Sequence, residues 1–392
     1  MNILYVTPDI PVPHTGEFIG GTTHTLEIAD GLAELGNTVY IISRRMHGQR
    51  FFEEISERVY TYRIYRGLIF PVRGGITKKS DHNTKIKIIE SLYFNTVYRI
   101  FLMVAILAVA RRCHIDTILE RNSAKGAGVF SGRILGIPTA VEVIDPDYCT
   151  FALRLCRKIF AYIRKILPPD VHNKTEIVHA GVDAELFRPM DEGDVRAAYD
   201  LTGSVVVYVG SMSAWHGAER LIEIAARMKD MDVTFLIVGK NMEMMEEMAE
   251  ENGVSDKFVF TGFVPHADVP KYIAAADVAV APYDPAGFVD MEAYGFYFSP
   301  IKIFEYMACG KAIVTSDLEM IRDIIMENEC GLLVKSDDID DFTVKLRTLL
   351  EDHALRRRFG ENGRNAVMER YTWNKVAEKI YSFLSGSSGE IR

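Results

Sequence analysis

The stretch Phe296-Tyr-Phe-Ser-Pro-Ile-Lys-Ile-Phe-Glu-Tyr-Met-Ala-Cys-Gly310, running into Lys311-Ala-Ile-Val-Thr-Ser316, decides how this chain folds. It reads as a helix that opens on a polar cap, stops at a glycine and passes straight into a buried strand. Ser299 suits an N-cap, and Pro300 suits the first helical position, where a missing N–H costs nothing. Ile301, Phe304, Met307 and Ala308 recur on one apolar face, and Gly310 ends the helix. The tip formed by Phe298, Ser299, Pro300 and Ile301 then presents backbone N–H groups at the positive end of a helix dipole, with Lys302 in the first turn. Such a tip suits phosphate, each dipole contact contributing about 0.3–2 kcal/mol. Glu305, about one turn on, suits a ribose hydroxyl. Phosphate at the tip and a sugar hydroxyl at the carboxylate predict a nucleotide-diphosphate ligand.

Working outward, the first half alternates apolar strands (2–7, 38–43, 59–65, 116–120, 139–144) with helices (22–35, one or two over 84–110, 124–135). The second half repeats the pattern, with strands at 204–209, 234–238, 258–263, 278–281 and 312–315. Helices separate them at 218–228, 242–252, 269–275 and 300–308, and others follow at 338–351, 354–369 and from Trp373. Near-continuous Val, Ile and Leu strands between amphipathic helices imply parallel sheets covered on both faces. At 392 residues two domains are expected. The boundaries fall at 1–187, 188–370 and a terminal helix over 371–392, whose Trp373, Val376 and Ile380 form an apolar stripe. Glycine loops at Gly20-Gly21 and 210–217 follow strands or their extensions and should face a cleft between the domains.

Composition is that of an ordinary soluble chain, 48% apolar and 25% charged. The charge is uneven: 24 Lys and Arg against 19 Asp and Glu in residues 1–190, leaving 21 against 35 in 191–392. The basic half is therefore the better face for an anionic acceptor or a membrane surface. Nucleic acid is a poor fit, since no reading motif or strongly basic domain is present. Five cysteines without metal spacing read as buried thiols of a reducing cytoplasm. The N-terminus starts as a strand with no leader pattern, so a cytoplasmic protein is expected. Residues 100–110 are too short to span a bilayer and read as a core helix. In 151–174 Arg154, Arg157, Lys158, Arg164 and Lys165 interleave with apolar residues, which leaves open a basic amphipathic helix docked on the inner face of a membrane or a helix packed inward.

Ser-Pro-x-Lys-x-Phe-Glu-Tyr-Met-Ala-x-Gly resembles the donor motif of the family-4 glycosyltransferases, retaining enzymes of the GT-B fold. The segments 20–36, 120–123, 136–146, 181–189, 209–217 and 371–373 also resemble that family, so the likeness spans nearly the whole chain. It implies an α/β protein of two doubly wound, Rossmann-like domains around a central cleft. The implied reaction moves a sugar from a nucleotide-diphosphate sugar to a hydroxyl of a glycan, lipid-linked or small-molecule acceptor, with retention and no required metal or other cofactor. Gly210, Ser211, His216 and Gly217 form the implied donor-phosphate loop, together with the tip and Lys302. Phe263 is an equally good nucleobase wall or core residue. Gly20 and Gly21 would close near donor phosphate and acceptor. Arg121 could meet phosphate, Asp145 could orient an acceptor hydroxyl, and His24 reads as structural or substrate-facing.

The chain departs from the family's wording at several positions. Ser211 or Met212 stands where many relatives place an arginine, and His216 where they place a lysine. Lys302, which many relatives lack, offers a compensating cation. Tyr297 stands where relatives carry a first glutamate that holds the transferred sugar; Asp290 and Glu292 are upstream substitutes or members of a solvated loop. Ile144 precedes Asp145 where many relatives have a histidine, so no histidine base carries over. One rival, an NAD-type dehydrogenase, lacks the Gly-x-Gly-x-x-Gly opening. Another, a non-catalytic nucleotide-sugar binder, is motivated by Tyr297 and the altered loop. A pyridoxal-dependent phosphorylase would need a Schiff-base lysine that the chain does not offer.

Overall fold

The computed structural model describes residues 1–12, 20–65, 93–191, 193–287, 291 and 294–386. Its contacts divide the chain into two compact units, Met1–His179 with Val376–Arg392, and Ala180–Lys375.

The first unit holds, among the described residues, strands β1 (Asn2–Pro11), β2 (Thr38–Arg44), β3 (Phe52–Ser56), β4 (Val59–Ile64), β5 (Thr117–Arg121), β6 (Thr139–Val143), β7 (Lys158–Ala161) and β8 (Thr175–Ile177). They form one sheet in the order β3-β4-β2-β1-β5-β6-β7-β8. All neighbours are parallel except the edge pair β3 and β4. Ile3, Leu4, Tyr5 and Val6 of β1 are fully buried, as a central strand covered on both faces requires. β2 lies on one side of β1 and β5 on the other, so the winding reverses there and opens a crevice at the carboxyl ends of β1 and β5.

Helices α1 (Gly20–Glu34), α2 (Arg99–Arg112), α3 (Ala127–Leu135) and α4 (Thr150–Leu155) belong to this unit. The expected helical span over 84–110 lies partly outside the described residues. Helix α2 sets Leu102, Ile106, Val109 and Ala110 into a core with Leu4, Val6 and Ile118. Its opposite face is bare, with Ile100 58% and Val104 60% exposed, so the core-helix reading holds for one face only. The amphipathic-helix reading of 151–174 is overturned. After α4 the chain enters strand β7, where Ile159 and Phe160 pair beside Val141 and Glu142 of β6 and are buried. Sheet pairing takes apolar side chains that a helix would have had to leave half-wet. From Val376 the terminal helix (Trp373–Leu384) belongs to this unit; Val376 and Ile380 are buried and Phe383 meets Phe160 edge-on at 5.9 Å.

The second unit carries a wholly parallel sheet of six described strands. They are β9 (Ser204–Val209), β10 (Val233–Val238), β11 (Phe258–Phe260), β12 (Val278–Ala281), β13 (Ala312–Ser316) and β14 (Gly331–Val334), in the order β11-β10-β9-β12-β13-β14. Here the winding reverses at β9, between β10 and β12. Helix α5 (Arg220–Ala226) follows the loop after β9, and α6 (Ile301–Ala308) precedes β13. The helix Glu319–Asn328 and strand β14 were not foreseen from the sequence; β14 pairs with β13 although only one of its four residues is fully buried.

The two faces of α2 give a stability test. Ile106→Ala should cost about 2–5 kcal/mol, since the buried side chain leaves a cavity. Ile100→Ala on the bare face should stay within about 0.5 kcal/mol. Urea unfolding of the two variants checks both, and equal losses would show that the bare face is packed in solution.

Candidate functional site

In the second unit the site begins where β9 ends. Gly210 has φ +151°, and a Cβ there would lie 2.7 Å from Lys302 Nζ and 3.1 Å from Tyr208 Oη. Any other residue would displace the ammonium group. Gly217 closes the same loop at φ +63°, where a Cβ would sit 2.0 Å from the Pro282 carbonyl oxygen. Helix α6 is tied across the winding reversal by Tyr306, whose Oη accepts from the Val209 N–H at 2.8 Å and donates to the Val280 carbonyl at 3.4 Å.

The tip of α6 differs from expectation. Ser299 does not cap it: its Oγ accepts from the Ala180 N–H at 3.1 Å instead. Pro300, at ψ 68°, takes the cap position itself, and the helix starts at Ile301. The Ile301 N–H turns back onto the Ser299 carbonyl at 2.9 Å and the Ile303 N–H onto the Pro300 carbonyl at 2.8 Å. The predicted outward fan of N–H groups at 298–301 is thereby reduced, and Lys302 becomes the principal anion-attracting group of the tip. Ile301 is exposed; Ile303, Phe304, Tyr306, Met307 and Ala308 make the buried face.

Lys302 is enclosed by aromatic rings. Its Nζ donates to Tyr208 Oη at 3.3 Å and lies 4.4 Å from the Tyr208 ring centre and 5.2 Å from that of Tyr283. Burial pushes its pKa down to about 7, against the pull of Glu305. Tyr208 passes its own proton to the Ser211 carbonyl at 2.9 Å, which also receives His216 Nδ1–H at 2.9 Å. A carbonyl only accepts, so Nδ1 carries a proton. Burial and the neighbouring Lys302 hold the His216 pKa down at about 4. His216 therefore adds no positive charge near neutrality.

Glu305 is buried in the second turn of α6, and His266 Nε2 approaches its Oε1 at 3.3 Å. Trp215 stacks on Phe298 at 5.2 Å and on Tyr283 at 6.1 Å, and touches His216 at 3.7 Å. Tyr297 is buried against Phe298 at 4.4 Å, so an aromatic shell occupies the place where relatives carry the first glutamate. Phe263 is 61% exposed, which removes the core reading, and Lys240 lies 4.1 Å over its ring. Asp290 and Glu292 lie outside the described residues.

The first unit gathers a separate cluster at its own winding reversal. Gly20 and Gly21 open α1, and a Cβ on Gly21 would meet Ile10 Cδ1 at 2.8 Å and Arg121 Nη2 at 3.8 Å. Arg121, the last residue of β5, is buried, and among the described residues its Nε and Nη1 have no hydrogen-bond partner. His24 is not at the surface of α1: it is buried and ion-paired through Nε2 with Glu142 Oε1. Tyr5 donates to the other oxygen, Oε2, at 2.6 Å. Burial alone would raise the Glu142 pKa, but His24, Arg121 and Tyr5 outweigh it and hold the carboxyl at about 2. Asp145 is turned onto its own loop, where Oδ1 accepts from Asn122 Nδ2 at 2.7 Å and from the Asp147 N–H at 2.8 Å; burial raises its pKa.

Sequence reasoning missed Glu142, Tyr5, Tyr208, Tyr306, Trp215 and His266. A glutamate inside Thr-Ala-Val-Glu-Val is a signal that could have found the first, because a charge in a two-sided buried strand needs a partner. Among the described residues no group of three His, Cys, Asp or Glu is placed to hold a metal ion.

Residues 194–366 match the family model described as Glycosyl transferases group 1. The chain is 27% identical over 250 residues to a GDP-mannose-dependent alpha-(1-6)-phosphatidylinositol monomannoside mannosyltransferase of Mycolicibacterium smegmatis, covering 62% of this chain and 63% of that protein. The match thus spans less than two thirds of that relative's length. It is 28% identical to an MMP alpha-(1->4)-mannosyltransferase of Mycolicibacterium hassiacum, covering 91% and 92% of the two chains. In fold it is similar to the sucrose-phosphate synthase of Thermosynechococcus elongatus, with a TM-score of 0.72 at 19% identity over 99% of this chain and 100% of that one.

The buried Glu142 cluster makes two expectations. His24→Ala removes one partner of the buried carboxylate, leaving Tyr5 and Arg121 to hold it, and should cost about 3 kcal/mol in denaturant unfolding. The depressed pKa of Glu142 means that its contribution is complete above about pH 4.5 and fades as the pH falls toward about 2. Glu142→Gln should remove that part of the acid limb of a stability-against-pH curve; an unchanged limb would mean that Glu142 is not held as an ion.

Proposed function

We propose that this chain, whose residues 194–366 match the Glycosyl transferases group 1 model and whose fold is GT-B, is a glycosyl transferase that moves a sugar from a nucleotide-diphosphate sugar to an acceptor hydroxyl, with retention at the anomeric carbon and without a divalent cation. The observation that carries this reading is the pairing of Lys302 and Glu305 on α6 beside the 210–217 loop at the β9 winding reversal. Open parallel sheets take nucleotides at such reversals, off the carboxyl ends of their strands.

In this reading residues 188–370 hold the donor and residues 1–187 the acceptor. Negative charge grows on the leaving diphosphate as the glycosidic bond lengthens. Protonated Lys302, fixed by Tyr208 before the donor arrives, offsets that charge without reorganising. Ser211, the small residues Gly210 and Gly217, and the α6 tip bound the phosphates; Glu305, oriented by His266, accepts the ribose hydroxyl; and exposed Phe263 lies against the base. Retention and metal independence rest on likeness to the family. The GDP-mannose-dependent relative makes GDP-mannose the first donor to try. Glycan, lipid-linked and small-molecule acceptors are all compatible with the chemistry. Gly20, Gly21, Arg121, Asp145 and His24 with its Glu142 partner are assigned to the acceptor side.

Tyr297 favours one second reading, a nucleotide-sugar binder that does not transfer. A phenol in an aromatic shell accepts fewer sugar hydroxyls than the carboxylate that relatives place there. Incubation with a panel of nucleotide sugars, read by nucleoside-diphosphate release and by the anomeric coupling of any product, decides between them. Transfer with an α product from an α donor in the presence of EDTA supports the first reading. Tight binding with neither transfer nor donor hydrolysis supports the second.

Lys302 sets a pH dependence. With a pKa of about 7, its ammonium form must be recovered by proton uptake when an anionic donor binds at higher pH. Donor affinity should therefore fall by up to about tenfold per pH unit above neutrality. Lys302→Met should flatten that slope, and Lys302→Ala should weaken binding by about 1.5–3 kcal/mol near neutral pH. Calorimetry with an intact nucleotide sugar measures both; an unchanged slope in the variant would remove Lys302 from the site.

A further inference from the structure

Helix α2 is apolar on a face that no described residue covers. Val97, Ile100, Phe101, Val104 and Ala108 lie exposed at helical spacing, followed on the same stripe by Arg111 and Arg112. The stripe continues onto its neighbours. The Arg99 guanidinium lies 5.7 Å over the ring of Phe130 on α3, and that ring stacks at 6.1 Å on Phe151 of α4, itself 61% exposed. Ile134, one turn beyond Phe130 on α3, is exposed to the same extent.

The charge on this face has one sign. Helices α2, α3 and α4 carry Arg99, Arg111, Arg112, Arg133 and Arg154 and not one acidic residue. Asp170, which pairs with Arg154 at 2.7 Å, is an acid at its rim. A broad exposed apolar surface edged mainly by arginine is not what an ordinary solvated face shows. A second copy of the chain is a poor occupant, since a two-fold pairing would set arginines against arginines.

We propose that this face docks on an anionic membrane surface, with α2 lying in the interfacial plane. Ile100, Phe101, Val104, Ile134 and Phe151 would enter the boundary between headgroups and acyl chains. The arginines would keep their guanidinium groups among lipid phosphates while their stems lie along the apolar layer. No described helix is long and apolar enough to cross a membrane, so the contact is peripheral. The docking face belongs wholly to the first unit and does not depend on what the second unit binds.

Flotation of the full chain with phosphatidylglycerol vesicles and with phosphatidylcholine vesicles tests this. The wild type should float with the first and not the second, and raised salt should release it. Ile100→Ser/Val104→Ser and Arg111→Ala/Arg112→Ala should each lower vesicle affinity by about tenfold or more. Both variants should keep the wild-type thermal transition and nucleotide-sugar affinity without vesicles, so that loss of flotation is not loss of fold or of the donor site. No binding to phosphatidylglycerol vesicles, binding unchanged in both variants, or a wild-type dimer that Ile100→Ser/Val104→Ser dissociates would each overturn the proposal. A chain that floats as expected yet transfers no sugar would leave it standing and refute only the enzymatic reading.

Discussion

Everything at the candidate donor site depends on where one ammonium group is held. Lys302 sits over two tyrosine rings, donates to Tyr208, and through Tyr208 and the Ser211 carbonyl is linked to His216. The loop after β9 and the first turn of α6 are thus one polar assembly. A side chain at Gly210 would intrude on Nζ, and Tyr306 anchors α6 to β9 and β12. A cation buried this way is costly unless an anion completes it, which is why its pKa is pushed to about 7.

The first unit handles buried charge in the opposite manner. Glu142 is satisfied internally by His24 and Tyr5, and its carboxyl stays ionised well below its usual range. Glu120 on the adjacent strand is likewise internal, accepting the Gly126 and Val129 N–H groups at the start of α3, while burial lifts its pKa to about 7. Within this network Arg121 retains donors unmatched among the described residues, beside the opening of α1. Both units therefore bring charged residues to the carboxyl ends of central strands, where strand geometry leaves room for them. One set is largely paired and the other is not.

The periodic elements were legible before any coordinates. Strands β9 and β12 fall on the expected residues because unbroken Val and Ala runs allow little else. The stretch 296–310 was legible as a helix between a polar turn and Gly310. What failed were inferences resting on a single local preference. Ser299 has the side chain of a cap, yet the Ala180 amide claims it. Residues 151–174 have a basic amphipathic pattern, yet pairing with β6 draws 158–161 into the sheet. Residues 100–110 looked like core, and half of that helix is bare.

By itself the sequence determined the alternation of strands and helices, the two-sheet α/β class, and the candidate phosphate and ribose groups Lys302 and Glu305, because these follow from periodicity and neighbouring residues. Only the tertiary structure decided that His216 is neutral, that Lys302 stands on Tyr208 and Tyr283, that His24 faces Glu142, and that α2 turns an apolar stripe outward. Those outcomes depend on which distant side chains share a low-dielectric enclosure and on which face of a helix finds a partner. Residues far apart in the chain set both, and no local pattern encodes them.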